Sequence, residues 1–376
     1  MMALTKEQVE TFRRDGVLVV DNILDPDEVR GALDGLSETL GRYGVDTNNL
    51  SETAHHLANL SSTNGSGGVL DLFYPPWKCK VATNANLFHV TSQLWEASFC
   101  HDGESQESIT GEEIDKWHPF GPFDPLRGFM YMDRIGYRLP TVLSQEIGQQ
   151  LEDPNKKKSR SRPLQRSLTP HLDCCPETLY SLENKSKWRP IQCFVSLTDN
   201  VEPNTGGFEA VPGFHRKFDE WARHRPPTTM TKKIKPGERV SVSYPAACVG
   251  EYTHIRPKED CSIMERVQHI PVKAGSAVFW DNRIPHANAY RNDGQDARAV
   301  VYCSFLPVVP LNQIFVERQL EDWKSRRKPR DQWIEIQDDS SGVEGTPPEA
   351  NILCKDIEEQ HEFSDLGRKL MGIDRW

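Results

Sequence analysis

Residues 269–290 read HIPVKAGSAVFWDNRIPHANAY. The apolar, β-rich run GSAVFW fits a strand, DNRIP fits a turn, and HANAY returns to extended chain. Working outward, ARAVVYCSFLP (297–307) is a further clear strand, and PIQCFVSLTD (190–199) is another. VEPNTGGFEAVPG (201–213) reads as a Gly- and Pro-rich hairpin region, and GFMYMDRIGYRLP (128–140) as a strand with mixed faces. Two helices precede them. TKEQVETFRRDG (5–16) opens with a capping box on Thr5, and the segment from Asp25-Pro26 has helical periodicity through Val29, Leu33, Leu36 and Leu40. NLFHVTSQLWEASF (86–99) also reads as helix. Helices first and then many strands, without βαβ alternation, predict a mainly β fold with supporting helices around an antiparallel core.

The expected organisation is one enlarged domain over residues 1–325. Stretches 44–128 and 215–265 are read as insertions forming a lid or substrate region, with residues 44–75 as loop. Residues 326–350, rich in charge, Ser, Gly and Pro, read as a linker. Residues 351–376 are expected to form a helical tail docking back through Leu366, Leu370 and Trp376.

The chain has 376 residues, 37% hydrophobic and 27% charged, a soluble globular composition. A formal net charge of −10 argues against a whole-domain nucleic-acid binder. Its nine cysteines include no CxxC pair, which predicts mostly free thiols in a reducing compartment. No apolar run is long enough for a membrane span, and the N-terminal stretch has no apolar signal core, so a cytoplasmic protein is expected. The basic stretch KKKSRSRPLQR (156–166) reads first as a solvated loop, with an anion-contacting lid as the alternative. Oligomeric state is not encoded in any feature of the sequence.

In TPHLDCCPE (169–177), His171 is the only one of twelve histidines with a carboxylate two positions on. On an extended strand, residues i and i+2 share a face, so the His171 and Asp173 side chains could bind one cation. A polar pair at a strand end is the bland alternative. Two histidines and one carboxylate on one face of a six-coordinate ion leave three positions open, the arrangement of non-haem Fe(II) oxygenases. His286 is the candidate third ligand. A co-substrate dicarboxylate would then need a cation, and Arg298 opens the strand after His286 with Val300, Tyr302 and Ser304 on its face. Arg291 is the rival cation, expected in solvent in the turn RNDG. Tyr137, Gln192, Phe194 and Trp280 are candidates for shaping the pocket, with core packing as the competing role. Cys174 and Cys175 read as packing residues. His55, His56, His101 and His118 read as loop residues.

His171-x-Asp173, NTGGFEAVPGFHRKF, GSAVFWDNRIPHAN and Arg298 together resemble the phytanoyl-CoA dioxygenase (PhyH-like) family of Fe(II)/2-oxoglutarate oxygenases. Phe214 stands where that family usually has serine, and residues 44–128 and 215–265 match nothing in it. The resemblance implies a double-stranded β-helix (jelly-roll or cupin-like) core. It implies iron ligation by His171, Asp173 and His286, 2-oxoglutarate binding by Arg298 with Asn288 beside it, and a structural role for His215. It further implies hydroxylation of an unactivated C–H bond in a small-molecule or lipid-like substrate, with release of succinate and carbon dioxide, and stimulation by ascorbate. Three alternatives stay open: the same chemistry on a nucleobase or nucleotide, a catalytically inactive binding protein of that shape, and a zinc hydrolase using the same three ligands.

Overall fold

The computed structural model describes residues 2–62, 65–100, 120, 122–151, 162–179, 186–225, 228–235, 238–244, 248–249, 251–329 and 361–376. Its strands are β1 (Val17–Val20), β2 (Val69–Leu70), β3 (Gly128–Tyr131), β4 (Ile135–Arg138), β5 (His171–Leu172), β6 (Ile191–Ser196), β7 (Phe208–Ala210), β8 (Thr228–Lys235), β9 (Glu238–Tyr244), β10 (Cys248–Val249), β11 (Tyr252–His254), β12 (Gln268–His269), β13 (Ala277–Asp281), β14 (His286–Asn288) and β15 (Arg298–Pro307). A seven-stranded sheet runs β1-β13-β6-β15-β4-β2, with β3 also paired to β15. A six-stranded sheet runs β10-β11-β5-β14-β7-β12, and β8 pairs with β9. All of these pairings are antiparallel.

The large sheet is buried on both faces, and alternation decides which side chain goes where. Cys193, Val195, Phe279, Ala299, Val301, Cys303 and Phe305 join one core with the helices. Their neighbours Phe194, Val278, Trp280 and Val300 join a second core with Leu172, Phe208 and Ala210 of the smaller sheet. Phe194, Phe208 and Trp280 interlock there, with ring centroids 4.9–5.9 Å apart. The two sheets therefore pack face to face, and the site lies on this inner side.

The N-terminal helix Lys6–Asp15 has its capping box on Thr5 and Gln8 and ends at Gly16 in the left-handed region (φ 65°). The helix Pro26–Arg42 buries Ala32, Leu36 and Leu40. Residues 44–75, read as loop, contain Leu50–Thr53, the 3₁₀ segment Ala54–Leu60 and β2. Elements this short have too few repeats to show a period. They form because Ala54, Leu57, Leu60 and Leu70 are fully buried against the helical core. Within the stretch 215–265, β11 pairs with the strand that carries His171.

Cys79, Cys100, Cys174, Cys193, Cys261 and Cys303 are free thiols, whereas Cys175 is disulfide-bonded. Among the described residues, no helix is long and apolar enough to cross a membrane.

Candidate metal centre

His171 and His286 sit directly opposite each other on β5 and β14, neighbours in the smaller sheet. Asp173 follows His171 by two residues. Its carboxylate oxygens lie 3.6 Å from His171 Nε2 and 3.5 Å from His286 Nε2. The three candidate ligand atoms all fall within 4.8 Å of one another. This is one face of a small coordination sphere built from two imidazoles and one carboxylate.

Both imidazoles are held in the ligating tautomer by the chain itself. His171 Nδ1 lies 3.0 Å from the Thr169 carbonyl, and His286 Nδ1 2.9 Å from that of Ile284. A carbonyl only accepts, so each Nδ1 carries the proton and each Nε2 lone pair points into the centre. Tyr252 stacks on His171 at 4.7 Å, while Trp280 and Phe208 flank His286 at 5.1 and 5.9 Å. Burial, reinforced by the neighbouring His286, pushes the His171 pKa down to about 4, so the ring is neutral at pH 7. Burial opposes the charge on Asp173. Interactions with His171, with His286 and with the Arg189 guanidinium nevertheless hold its carboxyl well below the usual carboxylate range. Gln192 Nε2 donates to Asp173 Oδ2 at 2.8 Å, while the buried Gln192 Oε1 has no partner.

Behind the triad, Arg298 is 2% exposed at the start of β15. Its Nε donates to Asn200 Oδ1 (3.1 Å) and its Nη1 to Asn288 Oδ1 (2.9 Å). Its guanidinium lies over the Phe194 ring at 5.1 Å, and Nη2 has no hydrogen-bond partner among the described residues. Asn288 stands two residues after His286, roughly 6.6 Å along the same strand. The cation is therefore tied to the strand that carries His286, two residues on from it.

His171, Asp173, His286, Gln192, Asn288 and Arg298 thus come together. Tyr137 does not: it packs with Ile135 and Leu139 in the helix-side core, on the opposite face of β4. The position facing the site is occupied by Arg138, one residue on. Side-chain period along a strand is two, so the neighbour and not the tyrosine faces inward. Phe194 and Trp280 line the wall as packing residues. Arg291 is exposed and paired with Asp293 at 3.3 Å, as its turn position implied. His215 accepts a close approach to Gly16 and lies 3.1 Å from the Arg13 carbonyl, an architectural contact away from the triad. His55 and His56 lie in the 3₁₀ segment, off the strands. His101, His118 and the basic residues Lys156, Lys157, Lys158 and Arg160 lie outside the described residues.

The sequence reading missed Tyr252, Asn200 and Arg138. It also passed over the tract SSTNGSGG (61–68), whose Gly67 carbonyl accepts from Asn288 Nδ2 at 3.1 Å. Consecutive glycines offered the one available signal there, since close backbone approach needs them.

A family model described as Gig2-like matches residues 167–355, a span that includes His171, Asp173, His286 and Arg298. The chain belongs to the Gig2-like family. This Gig2-like chain shares its fold with GlcNAc Inducible Gene 2 of Candida albicans (16% identity, 99% of this chain and 77% of that one, TM-score 0.63). It also shares it with a hypothetical protein of Escherichia coli (16% identity, 98% and 82%, TM-score 0.60). No curated protein matches the Gig2-like sequence.

Proposed function

We propose that the chain is an Fe(II)- and 2-oxoglutarate-dependent dioxygenase that hydroxylates a small-molecule or lipid-like substrate, with its two sheets forming a double-stranded β-helix of the PhyH-like kind. The observation that carries this reading is Arg298: a guanidinium that cannot discharge, buried beside a two-histidine, one-carboxylate face, with a donor left over and no carboxylate partner among the described residues. The donor set fits iron, because three ligands on one face leave room for a chelating keto acid and dioxygen. Bound there, Fe(II) would supply the oxidative decarboxylation of 2-oxoglutarate that drives the C–H oxidation.

The chain's own groups divide the remaining work. His171, Asp173 and His286 hold the metal, and Gln192 fixes the rotation of the Asp173 carboxylate. Arg298 and Asn288 fix the far end of the keto acid, so its reactive end is oriented before reaction begins. Asp173 also borders a small pocket whose lining includes Cys174, Leu179, Lys187, Arg189 and Glu251. Lys187 is paired with Glu251 at 2.8 Å, and Arg189 with Asp133 at 3.3 Å.

The test is succinate formation from 2-oxoglutarate with Fe(II) and ascorbate, first without and then with a cell extract as substrate source. Slow uncoupled turnover is expected, lost in His171→Ala and Asp173→Ala. A mass gain of one oxygen in the extract would identify the substrate. Folded, metal-loaded protein that forms no succinate under either condition rules the reading out.

A further inference from the structure

Arg138 is the last residue of β4 and stands directly opposite Arg298 on β15. Ile135 and Tyr137 turn to the helix-side core, so Arg138 faces the inner side with Gly136, whose added Cβ would meet Val300 and Tyr302. Like Arg298, Arg138 is 2% exposed. Its Nη1 and Nη2 donate to the carbonyls of Arg166 (2.8 Å) and Tyr290 (3.3 Å), and its Nε has no hydrogen-bond partner among the described residues. Two neighbouring guanidiniums are thus buried, each with an orphaned donor, and neither meets a carboxylate among the described residues.

Among the other buried cations of the described residues, Lys78 meets only the Phe73 carbonyl (3.0 Å) and Met132 Sδ (3.7 Å), whereas Arg225 and Lys187 meet carboxylates. Buried Arg225 is paired with Asp260 at 2.8 Å, and Lys187 with Glu251. A buried lysine can lose its proton, but a guanidinium keeps its charge. Burial and the Arg298 charge push the Arg138 pKa down to about 10, which marks the strain of the uncompensated pair. Glycines close around it. A Cβ at Gly206 would come 3.0 Å from Arg138 Cγ, one at Gly68 2.8 Å from Arg138 Cα, and one at Gly67 3.0 Å from Asn288 Nδ2.

We propose that Arg138 and Arg298 form one paired-guanidinium site for the remote carboxylate of a dicarboxylate ligand, with Arg138 as a second anchor. The inference rests on the reading above for the identity of the ligand, 2-oxoglutarate. Its geometry concerns only the carboxylate. The competing role for Arg138 is a clamp that ties the backbone at 166 to that at 290.

Glutarate separates the two roles, because it carries the remote carboxylate but lacks the keto group that chelates metal. Its affinity for metal-free protein is measured by calorimetry, with thermal stabilisation as a second readout, in wild type, Arg298→Met, Arg138→Met and Arg138→Lys. Wild type is expected to bind glutarate, and both methionine variants to bind at least about tenfold more weakly, as loss of a charged hydrogen bond implies. Arg138→Lys, which keeps charge and most of the volume, guards against a methionine variant that fails to fold. It is expected to weaken binding less than methionine does. An unchanged glutarate affinity in folded Arg138→Lys and Arg138→Met, or no glutarate binding by wild type, overturns the proposal. Arg138-dependent glutarate binding without any succinate formation leaves this site standing and removes the dioxygenase. Succinate formation with Arg138-insensitive glutarate binding does the reverse.

Discussion

A metal-binding imidazole needs its second nitrogen occupied, and here backbone carbonyls two residues upstream do this for both histidines. The Asp173 carboxylate is instead fixed by a donor farther along the chain. Its orientation depends on one side chain from the opposite sheet, Gln192. Gln192→Leu keeps the volume approximately and removes the donor. Outer partners of this kind are worth about 10- to 100-fold in metal affinity. A loss in that range is expected when Co(II) or Mn(II) is titrated into the variant. Equal affinity would mean that Asp173 is positioned by the strand alone. His171 and Asp173 were legible in the sequence because their spacing matches the strand period. Gln192 was legible only as a strand residue near them, since its contact crosses between sheets. Arg138 was not legible at all: Tyr137 and Arg138 lie on one strand, and sequence alone does not say which face of β4 is inward.

At the scale of elements, the turn between β13 and β14 decides whether His286 reaches the triad. Asp281 organises that turn, accepting from the Arg283 backbone N–H (2.9 Å) and from its Nε and Nη2 (2.8 and 2.7 Å). Burial opposes the Asp281 charge, but Arg283 and its hydrogen bonds hold the carboxyl below the usual range. A depressed folded-state pKa contributes stability that is present above the unfolded value, near pH 4, and is lost as pH falls through the folded value. Asp281→Asn should therefore lower the urea midpoint at pH 7 and flatten its decline toward pH 3. The cost at pH 7 is expected below the roughly 3–5 kcal/mol of a fully buried broken pair, because Arg283 partly reaches water. Parallel pH profiles for variant and wild type would show that the turn does not depend on this charge. The strands on either side of the turn were readable from their apolar runs. The pairing of β14 with β5 and β7 was not, since register between distant segments is set by packing that no local pattern records.

For the whole molecule, one sheet serves two cores, a helix-side core and an inner core that carries the candidate site. The helix Asp365–Leu370 and the residues after it complete the helix-side core. Leu370 and Met371 are fully buried, Trp376 lies 5.7 Å from Phe88, and its Nε1 donates to the Gly128 carbonyl at 2.8 Å. Phe88 in turn meets Phe305 of β15 edge-on at 5.1 Å. The terminal segment therefore braces the strand whose first residue is Arg298, but at its far end. Removing residues 361–376 uncovers Phe88 and forfeits the buried contacts that Leu370 and Met371 contribute, each side chain worth about 1.5–3 kcal/mol. A lower thermal midpoint is expected for the truncated chain. Its Co(II) stoichiometry at low temperature should match that of the full chain, because His171, Asp173 and His286 make no contact with the segment. A truncated protein with an unchanged midpoint would show that the docked helix adds nothing to the core. One that stays folded yet loses the metal would show that the two cores are coupled through β15.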